Sequence, residues 1–503
     1  MHNVTVKRKN YTHLQIGCSK SIQMEIQDKF SFYADGYKFM PSYRNKMWDG
    51  KIRLFNRKTY EFPAGLYDQL EQFCNQNGYN IQMIESEYGM PNKKETVDPN
   101  EIMRFIKGMN LHSKGKPIEI RDFQFNAICS IIQDRRKLLI SPTGSGKSLI
   151  IYVAIRFLLE RLDDKILLVV PTTSLVDQMF SDFGDYSSND DSFDVAQKCH
   201  KIYSGKEKTN VHEQVFISTW QSIFKLGETW FRQFGAVFGD EAHLFDAKSM
   251  SAIMEKSIRA EYRIGTTGTL KGTKVHELAL QGLFGKKFQV TTTKKLQDND
   301  TLAQLVVNMI RLKYPSEIKT AFKTLKKLNY QKEIEFIVTY ERRNEFIVDL
   351  AQSLDGNTLI LFQFVKKHGK VLQSMIEHKI KDRRLFYVSG EVEQDDREAI
   401  RAIVEKQSKS IILASNGVFS TGVNIKNIHN IIFANPSKSQ VRVLQSIGRG
   451  LRKSDNGKPT RLFDLVDDIR VRSDPNFAWK HAEERRGIYH REEFKLNEKE
   501  YQL

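Results

Sequence analysis

The run Leu138-Leu139-Ile140-Ser141-Pro142-Thr143-Gly144-Ser145-Gly146-Lys147-Ser148-Leu149-Ile150-Ile151 passes from an apolar stretch through a glycine-rich turn into a second apolar stretch. That order predicts a buried strand, a loop and a helix. Backbone N–H groups of such a loop converge on phosphate oxygens at the helix N-terminus. Thr143, Gly144, Ser145 and Gly146 would line the phosphates of a nucleotide, Lys147 would reach the β- and γ-phosphates, and the Ser148 hydroxyl would hold Mg²⁺. The strict pattern opens on glycine where this chain has Ser141. A plain Gly/Ser turn would explain the glycines, but not a lysine followed by a hydroxyl residue.

Outward from this loop, between about Lys116 and Thr293, short β-rich runs alternate with helical periodicity. The strand candidates are Lys137–Ser141, Lys165–Pro171, Val215–Thr219, Ala236–Gly239 and Tyr262–Thr266, with helices over Leu149–Arg161 and Ser174–Phe183. Such alternation predicts a parallel sheet covered on both faces. The pattern recurs after Tyr314, at Thr358–Phe362, Arg384–Val388, Ser410–Ala414 and Ile428–Ala434. The expected fold is α/β: two tandem parallel-sheet domains, preceded by a small α+β N-terminal domain. The expected boundaries are 1–115, 116–293, 294–470 and a charged helical tail over 471–503, with the polar stretch Thr293–Asp300 as the linker.

Asp240-Glu241-Ala242-His243 ends the strand candidate Ala236–Gly239. A carboxylate at a strand end beside a phosphate loop suits water-mediated Mg²⁺ binding, which is the expectation for Asp240. Glu241 is placed to orient and deprotonate an attacking water. A lone Asp-Glu pair would otherwise read as a solvated turn.

The 503 residues carry 78 Lys and Arg against 61 Asp and Glu, a formal net charge of +17. That surplus favours a polyanionic partner, nucleic acid before anionic membrane. The four cysteines, Cys18, Cys74, Cys129 and Cys199, have no zinc-ligand spacing. With no signal-peptide pattern and no apolar stretch near the ~20 residues that span a bilayer, the expectation is a reduced intracellular protein without a structural metal.

Taken together, these motifs resemble the superfamily 2 helicases of the DEAH-box type, whose domains are RecA-like. The resemblance implies ATP and Mg²⁺ as cofactors. It assigns adenine reading to Gln124 in Arg121-Asp122-Phe123-Gln124. Gripping of a nucleic-acid backbone falls to Thr172 and Thr173, to Ser218 and Thr219, and in the second domain to Ser420 and Thr421. His243, Thr267 and Thr269 would couple hydrolysis to domain movement. Phe419-Ser420-Thr421-Gly422-Val423-Asn424 is similar to the family's fifth motif, with Gly422 near the nucleotide and Asn424 where many relatives carry Asp. Gln445-Ser446-Ile447-Gly448-Arg449-Gly450-Leu451-Arg452 matches the last motif. It makes Gln445, Arg449 and Arg452 catalytic residues, Arg452 foremost as the finger at the γ-phosphate. Each Ser or Thr taken singly is also an ordinary helix cap or turn former.

A narrower resemblance joins the N-terminal stretch Ser31–Phe55 to the UvsW helicases of T-even-type phages, through Asp35-Gly36-Tyr37-Lys38-Phe39 and Met47-Trp48-Asp49-Gly50-Lys51-Ile52-Arg53-Leu54-Phe55. It implies work on branched DNA (forks and Holliday junctions) and on RNA–DNA loops in recombination, repair and replication, with 3′ to 5′ polarity. The implied partners are single-stranded, duplex and branched DNA, RNA–DNA hybrid, and single-strand-binding or recombination proteins. A monomer in the host cytoplasm is the matching expectation. Within the same stretch Arg44, Lys46, Lys51 and Arg53 are the residues expected to contact phosphates. Phe39 and Trp48 read primarily as core of a small β-rich domain. The residues alone leave open a duplex translocase, an RNA helicase, an annealing protein with a regulatory ATPase and a P-loop kinase, the last disfavoured by the second α/β domain.

Overall fold

The computed structural model describes the chain except residues 1–2, 35, 143, 204–206, 210–211, 245–246, 269–273, 299–303, 325–328, 417–426, 437–458 and 471–473. Two compact units divide it, Met1–Ser141 with Ser145–Thr291 and Thr292–Leu503.

The first unit holds a parallel sheet of seven described strands. Their order is Cys199–Ile202, Val215–Thr219, Lys165–Val170, Phe234–Gly239, Tyr262–Thr267, Arg136–Ile140 and Lys287–Gln289. The central strands are buried along nearly their whole length because helices cover both faces. Side-chain alternation splits them between two cores. Leu139, Ile166, Leu168 and Val170 enter one, with the helices Asp122–Asp134, Lys147–Leu159 and Thr173–Tyr186. Leu138, Leu167 and Val169 enter the other, with Ile253, Leu280 and Phe284.

The second unit repeats this architecture, in the order Arg384–Val388, Ser410–Ser415, Thr358–Phe362, Asn430–Phe433, Thr460–Asp468, Leu305–Lys313 and Lys495–Gln502, again all parallel. When the described strands of each sheet are numbered 1 to 7 along the chain, both sheets read 3-4-2-5-6-1-7. The domains are therefore tandem RecA-like folds of one topology. They differ where strand 1 ends. The first domain continues into the phosphate loop, whereas Leu305–Lys313 continues into Tyr314-Pro315 without glycine.

The C-terminal residues correct the expectation of a charged helical tail. A helix spans Phe477–Arg491, but Lys495–Gln502 is the seventh strand, paired in parallel with Leu305–Lys313. Buried ion pairs fasten this segment. Arg485 makes two hydrogen bonds to Asp464, at 2.9 and 2.6 Å, and Tyr489 donates to the same carboxylate at 2.7 Å. Glu333 caps the helix from outside, accepting the backbone N–H of Phe477 at 3.0 Å and of Ala478 at 2.7 Å. The stretch expected as a linker is helical over Thr293–Asp298.

The N-terminal module is α+β, as expected. Its four-stranded sheet runs Glu61–Pro63, His13–Gly17, Asn3–Arg8, Asn80–Ile84, and the helices Lys20–Lys29 and Tyr67–Gln76 share its core through Ile22, Ile26, Leu70 and Phe73. A separate ribbon, Ser31–Tyr33 with Lys51–Arg53, carries the insert between them. The module is fixed to the first RecA-like domain. Arg263, fully buried, donates to Thr12 Oγ1 at 2.6 Å and to the Met254 carbonyl at 2.8 Å. Gly65 allows the closest approach, since a Cβ there would stand 2.2 Å from the Gln281 carbonyl oxygen. Phe39 departs from expectation: it is 76% exposed and lies outside the core, while Trp48 is half-buried and donates its indole N–H to the Lys51 carbonyl at 2.9 Å.

Candidate active site

The parallel register brings the C-terminal ends of five strands to one edge of the first sheet. Across that edge come Thr219, Val170, Gly239, Thr267 and Ile140, each the last residue of its strand. Chemistry in open α/β sheets gathers at this end. The order sets the phosphate loop after Ile140 at one side, Thr172–Thr173 and Thr219 at the other, and Asp240–Glu241 between them.

The phosphate loop owes its shape to local geometry. Gly144 and Gly146 have φ of +85° and +77°, the left-handed region that glycine enters at least cost. Gly146 is also the N-cap of the helix Lys147–Leu159, which has no side-chain cap. The helix thus presents its first N–H groups and its positive dipole end to the loop, an arrangement that suits phosphate. A Cβ at residue 146 would lie 2.2 Å from Gln124 Nε2, so any larger residue would displace the Gln124 amide. Ser141, the departure from the strict pattern, is fully buried, and its hydroxyl lies 2.6 Å from that of Ser145. The serine ties the loop's entry to its crown, a bond glycine could not make.

Gln124 is buried beneath this loop, with both ends of its amide engaged. Its Nε2 donates to the Ser145 carbonyl at 2.8 Å, and its Oε1 accepts the Arg121 N–H at 2.9 Å. The side chain expected to read adenine is here a brace on the phosphate loop, a role for which sequence gave no signal.

Lys147 extends to both acidic residues. Its ammonium lies 3.3 Å from Asp240 Oδ1 and is hydrogen-bonded to Glu241 Oε1. Burial would lower its pKa, but the two carboxylates outweigh burial and hold it above the ordinary lysine range. Burial pushes the Asp240 carboxyl up, against the pull of Lys147. The Thr266 hydroxyl donates to Asp240 Oδ1 at 2.5 Å and fixes its rotamer. Glu241 has φ of +50°, a costly conformation for a residue with a Cβ, and one that accumulates at functional sites. His243, 1% exposed, lies 2.6 Å through Nδ1 from Thr267 Oγ1 and 3.4 Å from Glu241 Oε2. The Ser148 hydroxyl is 2.8 Å from that of Tyr186. An ammonium, a hydroxyl, a buried carboxylate and an uncapped helix start converge here. This donor set fits a nucleoside triphosphate with a hard divalent cation.

The hydroxyls at the far side of the edge are more occupied. Thr172 caps the helix Thr173–Tyr186, and Ser218 and Thr219 are buried with internal partners, the Thr219 carbonyl at 3.0 Å and Ser222 Oγ at 2.8 Å. Thr173 is exposed. In the N-terminal module, Arg53 is bound through both terminal nitrogens to Asp49, whereas among the described residues Arg44, Lys46 and Lys51 have no carboxylate partner. Thr143, Thr269, Ser420, Thr421, Gly422, Asn424, Gln445, Arg449 and Arg452 lie outside the described residues.

Similarity to known proteins agrees with this architecture. Residues 3–84 match the family described as DNA helicase UvsW, N-terminal; residues 117–272 match the type III restriction enzyme res subunit; and residues 342–454 match the helicase conserved C-terminal domain. The ATP-dependent DNA helicase uvsW of Enterobacteria phage T4 is 36% identical over 476 residues, covering 93% of this chain and 92% of the relative. The crystal structure of T4 UvsW covers 99% of both chains at 34% identity, with a TM-score of 0.53. The DNA 3′–5′ translocase XPB2 of Sulfurisphaera tokodaii is 24% identical over 379 residues, 69% of this chain and 82% of that one. With a phosphate loop, an Asp-Glu-Ala-His strand end, two sheets of one topology and the UvsW N-terminal module in a single chain, the protein belongs to the UvsW family of ATP-dependent DNA helicases.

Proposed function

We propose that this helicase acts on branched DNA (forks and Holliday junctions) and on RNA–DNA loops, moving 3′ to 5′ in recombination, repair and replication in the host cytoplasm. The observation that carries this reading is the N-terminal module. It presents Arg44, Lys46 and Lys51 without carboxylate partners among the described residues, and it is locked to the ATP-binding domain through Arg263 and Gly65. Contacts to duplex there would be held at a fixed distance from the motor's own grip on a single strand. The polarity follows the 3′–5′ translocase among its relatives.

Bound ATP would supply the phosphoanhydride bond, and Mg²⁺, when bound, would draw charge from its phosphates. Lys147 would leave Glu241 for the phosphates, freeing that carboxylate. Glu241 would then take a proton from the attacking water on Oε1. Ser148 and Asp240 would hold the cation. Gln124 positions the loop and remains our assignment for the adenine edge, with Gly422 close to the nucleotide. Gln445, Arg449 and Arg452 are assigned to the charge that develops on the transferred phosphoryl group. Thr172, Thr173, Ser420 and Thr421 would hold sugar–phosphate without reading bases, as would Ser218 and Thr219 through their backbone groups.

Unwinding assays on duplexes with only a 3′ or only a 5′ single-stranded arm, and on forked and uniform duplexes, test the reading. It requires displacement from the 3′-armed substrate and preference for the fork. Translocation without strand separation would give ATP hydrolysis on forked and uniform duplexes alike and displaced strand from neither.

A further inference from the structure

Of the thirteen exposed large hydrophobic side chains among the described residues, five fall between residues 33 and 52: Tyr33, Phe39, Met40, Met47 and Ile52. Phe39 and Met47 are the most open, 76% and 82% exposed. Both stand on the insert between the ribbon strands Ser31–Tyr33 and Lys51–Arg53. A phenylalanine and a methionine held this far into water gain nothing for folding, and large apolar side chains gathered on one exposed insert point to an interaction site.

The insert is preformed. Tyr37 stacks on Tyr33 at 4.6 Å and meets Tyr43 edge-on at 4.8 Å. Gly50, with φ of +80°, lets the Tyr37 ring lie where a Cβ would come within 2.4 Å. The Met47 N–H donates to the Ser42 carbonyl at 2.9 Å, which holds the turn carrying Met47. Basic groups share the same insert and ribbon. Arg44 Nε donates to the Lys38 carbonyl at 3.4 Å, Lys46 occupies a left-handed turn position at φ of +56°, and the Lys51 ammonium sits 5.4 Å from the centre of the Tyr33 ring.

Exposed apolar side chains and cations carried on one short insert fit one partner better than any other: a nucleic acid, which offers open bases to the first and phosphates to the second. Phe and Met are wedge residues that enter base steps and unstack them. An aromatic face stacks on any base, so it demands no particular sequence. We propose that Phe39 and Met47 form a base-contacting tip that engages the exposed pair or unpaired base at a DNA branch point, while Lys38, Arg44, Lys46 and Lys51 hold the flanking phosphates. A uniform duplex offers the tip no open base and would bind through phosphates alone. The inference rests on the branched-DNA reading above and names the residues that would recognise the branch.

Binding of a forked duplex and of a blunt duplex of equal length, each titrated over a range of salt, tests this in the intact protein. Wild type must first prefer the fork; equal affinity for the two would overturn the branched-DNA reading and the tip with it. Given that preference, the variant carrying Phe39→Ala and Met47→Ala should lose about five- to hundredfold in affinity for the fork, the range one base stack spans. It should bind the blunt duplex as wild type does. Its salt dependence should run parallel to wild type, because no phosphate contact has been removed. Phe39→Trp, which keeps an aromatic face, should retain the preference. Both side chains are exposed, so neither change opens the core. A fork preference unchanged in the double variant would overturn the tip and give the patch to a protein partner. Equal losses on both duplexes would also overturn it.

Discussion

His243 Nδ1 and Thr267 Oγ1 lie 2.6 Å apart, joining the turn that carries Glu241 to the end of the adjacent strand Tyr262–Thr267. With the 3.4 Å approach of His243 to Glu241, this forms a buried polar chain from the proposed catalytic base to a strand end. Thr267→Val keeps the volume and removes the hydroxyl. Loss of one buried hydrogen bond costs ~1–3 kcal/mol. The expected phenotype is continued ATP hydrolysis with about tenfold less strand displaced per ATP consumed. Parallel ATPase and unwinding measurements check it; an unchanged ratio removes Thr267 from the coupling.

Lys147→Ala abolishes hydrolysis in this account, and the structure adds a cost to the nucleotide-free protein. Without the ammonium, the buried Asp240 carboxylate keeps hydrogen bonds from the Thr266 hydroxyl and the Glu241 backbone but loses its cation. Breaking a buried ion pair by removing one member costs ~3–5 kcal/mol. Thermal melts without nucleotide should show a clear loss for Lys147→Ala, and a smaller one when Asp240→Asn is added. Equal melting of wild type and Lys147→Ala would mean the pair contributes nothing to the fold.

The basic residues of the N-terminal module separate by their partners. Arg44, Lys46 and Lys51 changed together to alanine should flatten the salt dependence of duplex binding by up to about 2.7 in log–log slope, at about 0.9 per neutralised phosphate. Arg53→Ala alone should leave the slope nearly unchanged, because Asp49 already holds that guanidinium. A full unit of slope lost in Arg53→Ala would show that DNA displaces Asp49.

His368 gives the second RecA-like domain a pH dependence. It is fully buried in the turn Val365–Gly369, and burial, with Arg343 nearby, lowers its pKa from 6.5 to about 3. Below pH 6.5 the unfolded chain takes up a proton that the folded chain refuses, so stability falls as pH falls. The loss between pH 7 and pH 5 is ~2 kcal/mol. Unfolding free energies from denaturant titrations at the two pH values should differ by that much less in His368→Leu than in wild type. The same difference in both proteins would assign the acid sensitivity to other groups.

The strands that position the active site were legible because both faces are buried, so Lys165–Val170 and Thr358–Phe362 read as unbroken apolar runs. Thr460–Asp468 was not. It carries Asp464, Asp467 and Asp468, whose partners Arg485, Arg343 and Arg311 come from other elements of the fold. Nothing in a local window announces that such carboxylates are compensated. Lys495–Gln502 is a polar, solvent-facing edge strand, and its composition reads as a tail. In the site, the types at Lys147, Asp240 and Glu241 carried their chemistry openly, but the Ser141–Ser145 bond and the Gln124 brace depend on contacts made only once the loop is folded. Phe39 misled because an aromatic in a β-rich module is ordinarily core, and only the geometry of the insert turns it outward.

In the proposed mechanism, hydrolysis assisted by Glu241 drives strand separation. Unwinding of a forked DNA duplex with excess ATP, by wild type and by Glu241→Gln, tests it most directly. An amide cannot accept the proton of the attacking water, so the variant should bind ATP and the fork yet release no single strand in the time wild type clears the substrate. Strand release by Glu241→Gln at the wild-type rate, or by wild type without ATP, would contradict the account.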